Sequence, residues 1–174
     1  MGSRCVKFIV FVIFIGLSLL TEAVADPPPQ ASAWNGKEIS WNDLRTGVPE
    51  ATQSGKTVMM VFYTSWCTSC RKYRSLFSDK RVVEAAQKLV MILIDADEDK
   101  MANGAYSPDG TYVPRTIFLT PDGDVRDDLV GKTDQEHPHS IDITNPDELL
   151  SLMLKAGTED RDRGTFSSDQ RASN

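Results

Sequence analysis

The hydrophobic residues of the chain form three short unbroken runs, with apolar residues at helical spacing between and after them. The runs cover 57–64, 89–94 and 116–119 and are rich in Val, Ile, Leu, Met and Phe. Runs of this length are typical of β-strands that are covered on both faces. We therefore predict three buried strands, followed after the 121–124 turn by a return strand over 125–130.

The segment before the first strand carries apolar residues at helix-like intervals over 40–53. Ser40 is the expected N-cap of this helix, and Gly55 is its expected end. Pro49 argues against one continuous helix, because proline lacks a backbone N–H and clashes with the preceding turn.

Two more helices are predicted over 67–77 and 81–88, with Ser78 as the cap of the second. A last helix runs over 146–155, opens on proline, and is expected to bury four residues: Leu149, Leu150, Met153 and Leu154. This order of strands and helices predicts a single α/β domain. Its central mixed sheet has a parallel pair of strands, an antiparallel edge and flanking helices.

The two ends of the chain differ in composition from this middle part. Basic residues precede an apolar run of 13 residues, Phe8–Leu20, and Ala23-Val24-Ala25 follows it, which is the pattern of a secretory signal peptide cleaved after residue 25. A membrane-spanning helix needs about 20 apolar residues, so an uncleaved anchor is the weaker alternative. Residues 26–37 read as a Pro-rich spacer and 158–174 as a polar, disordered tail, which leaves 38–157 as the folded domain.

The charge of the chain excludes one class of partner. Its net charge is −6 and its basic residues form no cluster, whereas nucleic-acid binding requires a basic patch. We predict an exported protein that binds no nucleic acid and, once the signal is removed, no membrane.

Two cysteines remain after signal cleavage, Cys67 and Cys70, because Cys5 lies within the signal. They follow a predicted buried strand and open a predicted helix, which is the setting of a redox dithiol. At the start of that helix, unsatisfied N–H groups favour the thiolate of Cys67, which we expect to be reachable from solvent and to act as nucleophile. Cys70 lies one turn deeper on the same face, where it would resolve a mixed disulfide.

The cysteine pair could also belong to a zinc site or form a purely structural disulfide. A structural zinc site needs four ligands, and His137 and His139 are too closely spaced in a polar loop to complete one, so we expect them to be exposed loop residues. A purely structural disulfide stays open as an alternative, although it would close a very small loop. We predict no metal site.

Further residues resemble those of a known family. The Trp66-Cys67-x-x-Cys70 motif after a strand, with Val113-Pro114 ahead of another strand, is similar to the thioredoxin superfamily. Additional matches extend over about 38–157 and resemble small thioredoxin-domain oxidoreductases of the endoplasmic reticulum and their relatives, the anterior gradient family. These matches include Ser65-Trp66-Cys67, Ser107-Pro108-Asp109-Gly110 and Tyr112-Val113-Pro114-Arg115.

The resemblance implies a thioredoxin-like fold and a role for each motif residue. Cys67 attacks, Cys70 resolves, Pro114 forms a cis peptide bond that faces the disulfide, and the client is bound by Trp66, Val113 and Pro114. Arg115 either contacts the client or only begins the strand, and the second reading is favoured. The cofactor is the redox-active Cys67–Cys70 disulfide itself, and no other cofactor is expected.

Three features depart from the family pattern. Cys70 is present where anterior gradient relatives commonly carry serine, which favours full dithiol chemistry. Val61 occupies the position of the buried acid of thioredoxin and protein disulfide isomerase, so we expect slow resolution by Cys70. The chain ends in Arg171-Ala172-Ser173-Asn174, which is no Lys-Asp-Glu-Leu-type retrieval signal, so both the lumen of the endoplasmic reticulum and secretion are expected locations.

We therefore predict a thiol–disulfide oxidoreductase of the secretory pathway, a protein-disulfide oxidoreductase acting on cysteine-containing client proteins and recycled by a thiol redox partner. The alternative is a client-binding module of anterior gradient type with little redox turnover. A weaker third hypothesis is a metallochaperone that holds Cu(I) between the two thiolates.

Overall fold

The structure is a computed structural model, and it describes residues 26–158. The predicted signal peptide and the predicted tail from residue 159 onward lie outside the described residues. Within the described part, no helix is long and apolar enough to cross a membrane.

Four strands form one mixed sheet in the order β1-β3-β2-β4. Their bounds are Trp41–Asn42 for β1, Val58–Tyr63 for β2, Val90–Asp95 for β3 and Arg115–Leu119 for β4. β3 lies parallel to both β1 and β2, whereas β4 lies antiparallel to β2. Every residue of β2 is buried, which confirms its prediction as a central strand.

Helices cover both faces of this sheet. Their bounds are Leu44–Ser54 for α1, Thr68–Tyr73 for α2, Lys80–Ala86 for α3, Lys100–Ala105 for α4 and 147–158 for α5, with 3₁₀ helices at Ala31–Trp34 and Arg74–Ser78. α1 and α4 pack on one face, and the other helices pack on the opposite face. Since alternate residues of β2 point to opposite faces, the strand contributes to both cores. The predicted α/β fold, a mixed sheet with flanking helices, is confirmed.

The predicted return strand over 125–130 does not form. Within residues 26–158, this segment makes only an isolated antiparallel bridge between Leu119 and Val125. The chain then turns, because the N–H of Leu129 donates to the carbonyl of Arg126 at 3.1 Å.

The start of the first helix was predicted three residues too early. Trp41 and Asn42 pair with β3 as strand β1, so Ser40 cannot cap a helix and Asp43 does so instead. The Asp43 carboxylate accepts a hydrogen bond from the N–H of Thr46 at 2.8 Å. Gly55 ends the helix in the left-handed conformation, as predicted.

Pro49 lies inside α1 without breaking it, contrary to the sequence-based expectation. The carbonyl that proline cannot serve is that of Arg45, an exposed residue of the first turn. Water can therefore bond this carbonyl, and the remaining helical bonds and the packed face hold α1 together.

The helices after the disulfide also differ in detail from their predictions. The predicted helix over 67–77 is α2 followed by a 3₁₀ helix, and Asp79 rather than Ser78 caps α3. The Asp79 carboxylate accepts from the N–H of Arg81 at 2.8 Å. Leu154 was predicted to be buried on the last helix, but it is exposed because its position on α5 faces away from Leu149 and Met153.

Part of the segment predicted as a spacer packs into the fold. Ala31–Trp34 forms a 3₁₀ helix, and the indole of Trp34 is buried among the rings of Trp41, Tyr63, Tyr73 and Phe77. The indole N–H of Trp41 donates to the carbonyl of Trp34 at 2.7 Å. This aromatic cluster lies on the face of the sheet that also carries α2.

Two glycines provide a matched test of how closely α1 approaches the sheet. A Cβ at Gly47 would lie 2.5 Å from the Ile92 side chain, whereas a Cβ at Gly104 in α4 would meet no atom within 4 Å. We expect Gly47→Ala to lower the free energy of unfolding by about 1–3 kcal/mol through overpacking. Gly104→Ala should raise it by about 0.5–1 kcal/mol, because alanine is the better helix former. Urea denaturation of both variants measures the difference, and equal effects would contradict the close approach.

Candidate active site

The two cysteines of the motif form a disulfide at the carboxyl end of β2, where the chain enters α2. Their Cα atoms lie 5.2 Å apart. Cys67 is the N-cap residue of α2, and its Sγ accepts a hydrogen bond from the backbone N–H of Cys70 at 3.0 Å. The sequence motif therefore folds into the strand-to-helix setting that was predicted for a redox pair.

Cys67 is less exposed than the sequence-based expectation of a solvent-reachable sulfur. In the disulfide state Cys67 is 5% exposed and Cys70 is 2% exposed. The reason is the loop before β4, which places the carbonyl oxygen of Val113 3.8 Å from the Cys67 Sγ. Its chain neighbours Trp66 and Thr68 are exposed, so the sulfur lies close to the protein surface. We call the exposed residues around the disulfide the rim.

The Val113–Pro114 peptide bond is cis, as the resemblance to thioredoxins implies. Pro114 is buried and Val113 is half-buried, and the contact between Val113 and Cys67 places this loop directly against the disulfide. The structure thus brings Cys67, Cys70 and the Val113–Pro114 loop together.

Trp66, directly before Cys67, is part of the rim and is 67% exposed. Its indole N–H donates to the carboxylate of Asp97 at 2.7 Å, which orients the ring next to the disulfide. Asp97 belongs to the acidic segment between β3 and α4, whose last member, Asp99, caps α4. Helix α4 was not predicted, although the cap at Asp99 is a local signal that could have revealed it.

A cavity of about 490 Å³ lies beside the disulfide along the Val113–Pro114 loop, and neither cysteine lines it. Ser69 of the motif and both residues of the cis bond line one side of it, and a long loop over 133–143 lines the other. We call this cavity the client groove, because we propose below that it binds client proteins. No sequence pattern indicates this cavity, because its far wall comes from a loop without periodic hydrophobicity.

Arg115 lies fully buried behind the cis bond and does not reach the surface. Its guanidinium donates to the carbonyl oxygens of Tyr112, Tyr106 and Asn103 at 2.8, 3.2 and 3.2 Å, and to the Asn103 side-chain oxygen at 2.8 Å. The same group lies 4.2 Å from the centre of the Phe62 ring. Arg115 therefore supports the loop from inside the protein, and burial lowers its pKa from the ordinary value.

His139 is buried, which corrects the prediction that both loop histidines are exposed. Its Nδ1 lies 3.0 Å from a carboxylate oxygen of Asp109, and the hydroxyl of Tyr112 donates to the same carboxylate. Burial alone would raise the pKa of Asp109, but the hydrogen bonds from Tyr112 and His139 lower it below the usual value. His137 remains half-buried in the loop, where its ring stacks edge-on against Tyr112.

Glu148 of α5 fastens the loop that forms the far wall of the client groove. Its carboxylate accepts hydrogen bonds from the N–H of Lys132 at 2.6 Å, the N–H of Asp142 at 2.8 Å, and both the N–H and the hydroxyl of Thr133 at 3.2 and 3.1 Å. Burial opposes ionisation, but these bonds hold the pKa of Glu148 below its ordinary value. The loop is therefore held at both of its ends by one ionised side chain.

The interior beneath the disulfide is apolar. Val61, six residues before Cys67, is fully buried and carries no acid. Tyr73 lies beneath Cys70, where its hydroxyl bonds that of Thr116 at 2.7 Å, and burial raises its pKa. Among residues 26–158, no three His, Cys, Asp or Glu side chains are grouped so that they could hold a metal ion.

Comparisons with known proteins match the chain to thioredoxin-like proteins. The sequence profile of the thioredoxin-like family matches residues 40–121. Anterior gradient protein 2 of Xenopus laevis is 31% identical over 127 residues, which cover 70% of this chain and 65% of that protein. Human anterior gradient protein 3 is 30% identical over 110 residues, or 61% of this chain and 64% of that protein. The chain thus spans slightly less than two thirds of the length of these relatives.

Solved structures share the fold at lower sequence identity. A disulphide isomerase from Xylella fastidiosa Temecula1 superposes with a TM-score of 0.52 at 20% identity, covering 76% of this chain and 98% of that one. A thioredoxin from Thermus thermophilus gives a TM-score of 0.51 at 21% identity, covering 68% and 86%. Residues 40–121 therefore carry a thioredoxin-like domain with a Cys67-x-x-Cys70 disulfide, and the chain is similar in sequence to the anterior gradient proteins.

Proposed function

We propose that this protein is a protein-disulfide oxidoreductase of the secretory pathway, which exchanges disulfides with cysteine-containing client proteins. The observation that carries the proposal is the Cys67–Cys70 disulfide at the start of α2, with the Cys70 N–H directed at the Cys67 Sγ. The same N–H group is placed to stabilise a thiolate on Cys67 once the disulfide is reduced.

The exchange proceeds in two displacements. In the reduced protein, the Cys67 thiolate attacks one sulfur of a client disulfide, and the other client sulfur leaves as a thiolate. The Cys70 thiolate then attacks the Cys67 Sγ, which closes the Cys67–Cys70 disulfide and releases the first client sulfur. The client gains two electrons and the protein loses two, and the reverse sequence oxidises a client dithiol.

The second displacement is the slower one in this proposal. Cys70 must lose its proton before it attacks, and the buried Val61 offers no base beneath it. The proton therefore leaves through the rim, to water or to a client group. A mixed disulfide with the client persists longer than it would with an internal acid in that place.

The predicted signal peptide and the homology to anterior gradient proteins support a place in the secretory pathway, in the lumen of the endoplasmic reticulum or outside the cell. The proposal includes a thiol redox partner that recycles the pair, and no cofactor besides the Cys67–Cys70 disulfide. It includes neither nucleic acid nor, after signal cleavage, a membrane.

The slight exposure of Cys67 favours one second candidate, a client-binding module with little redox turnover. In that case the client groove would bind its client without the sulfurs taking part. The test below separates the two functions.

The test uses a variant that stops the exchange halfway. In Cys70→Ser the Cys67 thiolate still attacks, but nothing resolves the mixed disulfide, so we expect a client disulfide peptide to remain bonded to the protein until dithiothreitol is added. Mass spectrometry of the full chain measures the adduct. Equilibration of the wild type with glutathione buffers gives the reduction potential of the pair and hence its direction. A variant that forms no adduct while the wild type still binds the peptide would favour the client-binding module.

A further inference from the structure

The charged side chains that line the client groove are all negative. Its walls carry three carboxylates, those of Asp134, Glu136 and Asp142, and no cationic side chain lines it. Its apolar part consists of Val113 and Pro114 next to the disulfide, with Ile141 and Ile143 opposite. A polypeptide segment in this groove therefore contacts apolar side chains next to the disulfide and carboxylates of the 133–143 loop.

Two of these carboxylates are held in place and kept ionised. The backbone N–H of His137 donates to Asp134 at 3.0 Å and lowers its pKa, and the hydroxyl of Thr144 donates to Asp142 at 2.7 Å with the same effect. The third, Glu136, is exposed. The negative charge is thus present at neutral pH.

The loop that carries these groups is fixed relative to the disulfide by three separate contacts. Glu148 binds both ends of the loop, as described above. The N–H of Thr116 in β4 donates to the carbonyl of His139 at 2.8 Å, and the His139 ring lies against Asp109. The carboxylates are therefore part of a formed wall rather than of a free surface loop, and a partner that binds them does not have to order the loop first.

Acidic residues also stand on the opposite side of the disulfide. Asp97 holds the Trp66 indole there, within the acidic segment 95–99. The cations of this region, Arg71, Lys72 and Arg74, follow the disulfide along the chain and lie outside the lining of the groove. Arg71 donates to the carbonyl of Trp66 and the hydroxyl of Thr68 at 3.3 and 2.9 Å. The rim of the disulfide is thus acidic on two sides.

We propose that the client groove selects client segments whose reacting cysteine is flanked by Lys or Arg. The inference rests on the proposed function, because it names the chemistry of the clients that the Cys67–Cys70 site serves. The occupant is an extended cysteine-containing polypeptide segment, whose apolar side lies on Val113 and Pro114 and whose cationic side chains reach Asp134, Glu136 and Asp142.

The test compares two peptides that differ only in charge. Each carries one cysteine in a disulfide with a neutral fluorescent thiol, and the cysteine is flanked by Arg in one peptide and by Glu in the other. The full chain is reduced, freed of reductant and mixed with each peptide, and release of the fluorescent thiol reports exchange with the peptide disulfide. We expect the Arg peptide to react about fivefold faster at low peptide concentration, roughly what two exposed ion pairs supply.

Matched variants separate the groove from the overall negative charge. Asp134→Asn with Glu136→Gln removes two charges from the groove and keeps the size of both side chains, and we expect it to bring the two rates to within about twofold of each other. Glu84→Gln with Asp122→Asn removes two charges from exposed residues outside the groove and should leave the preference unchanged. Raising the salt concentration should weaken the preference, because the screening length falls below about 10 Å above 0.1 M.

The outcomes distinguish failure of the inference from failure of the function. Equal rates for the two peptides in the wild type, or equal losses of preference in both double variants, would overturn the basic-client inference while the exchange activity stands. Failure to react with either peptide and with the neutral bis(2-hydroxyethyl) disulfide would overturn the proposed function and this inference together.

Discussion

Cys67→Ser is expected to lose the exchange activity of the protein almost entirely. Serine keeps the N-cap hydrogen bond to the N–H of Cys70 but has no ionised sulfur to attack a client disulfide. Because removal of a nucleophile that no other group replaces costs several orders of magnitude, we expect at least about a 100-fold fall in rate. Reduction of insulin disulfides by the full chain, with dithiothreitol as the final reductant, measures it.

Cys70→Ser is the matched control for this prediction. Both variants lose the same disulfide, which closes a loop of four residues and contributes about 2 kcal/mol in the chain-entropy account. Their free energies of unfolding should therefore be similar. In protein cleaved after residue 25, which lacks Cys5, only Cys70→Ser should still react once with iodoacetamide or a client disulfide, at its surviving Cys67. A Cys67→Ser variant with wild-type turnover would show that the pair is structural and that the activity lies elsewhere.

The sequence could predict the central strand and the placement of the cysteines because both are local features. An unbroken apolar run as long as β2 has few alternatives to a buried strand, and a Cys-x-x-Cys pair directly after it must lie at a strand-to-helix junction. The boundaries were less accurate, since Ser40 and Asp43 are both good N-caps. The pairing of β1 with β3 decided between them.

The walls of the site could not be predicted, because distant residues form them. His139 and Asp109 are 30 positions apart, and Glu148 lies 16 positions from Lys132. His139 and Asp109 stand in segments with no periodic pattern, which indicate only loops. Glu148 is a polar residue of the predicted helix over 146–155, and the spacing of that helix does not show that its carboxylate binds a distant loop. Trp34 was missed for a related reason, since three prolines before it indicated an extended spacer and nothing local showed that its indole joins the aromatic cluster.

Arg115→Met is expected to destabilise the protein strongly, because it removes every donor from a fully buried position. Methionine has a similar length but no donors, so three backbone carbonyl oxygens and the Asn103 side-chain oxygen lose their partner. Each buried acceptor left without a donor costs about 1–3 kcal/mol, and part of this loss is offset because the guanidinium charge no longer has to be desolvated. We therefore expect the free energy of unfolding to fall by about 3–5 kcal/mol. Guanidinium chloride denaturation of the full chain, followed by tryptophan fluorescence, measures the loss.

Two further variants show why Arg115→Met loses stability. They separate the geometry of the guanidinium, its charge and the replacement of any arginine. Arg115→Lys keeps the charge but has a single compact head group that cannot reach all four acceptors of the planar guanidinium, so we expect an intermediate loss. Arg45→Met removes an arginine whose side chain is 83% exposed and should change the free energy of unfolding by less than about 0.5 kcal/mol. The Arg115 acceptors include the carbonyl of Tyr112, directly before Val113, so Arg115→Lys should also slow exchange with a client peptide. If Arg115→Met proved as stable as Arg45→Met, the guanidinium would not be what holds the cis loop against the disulfide.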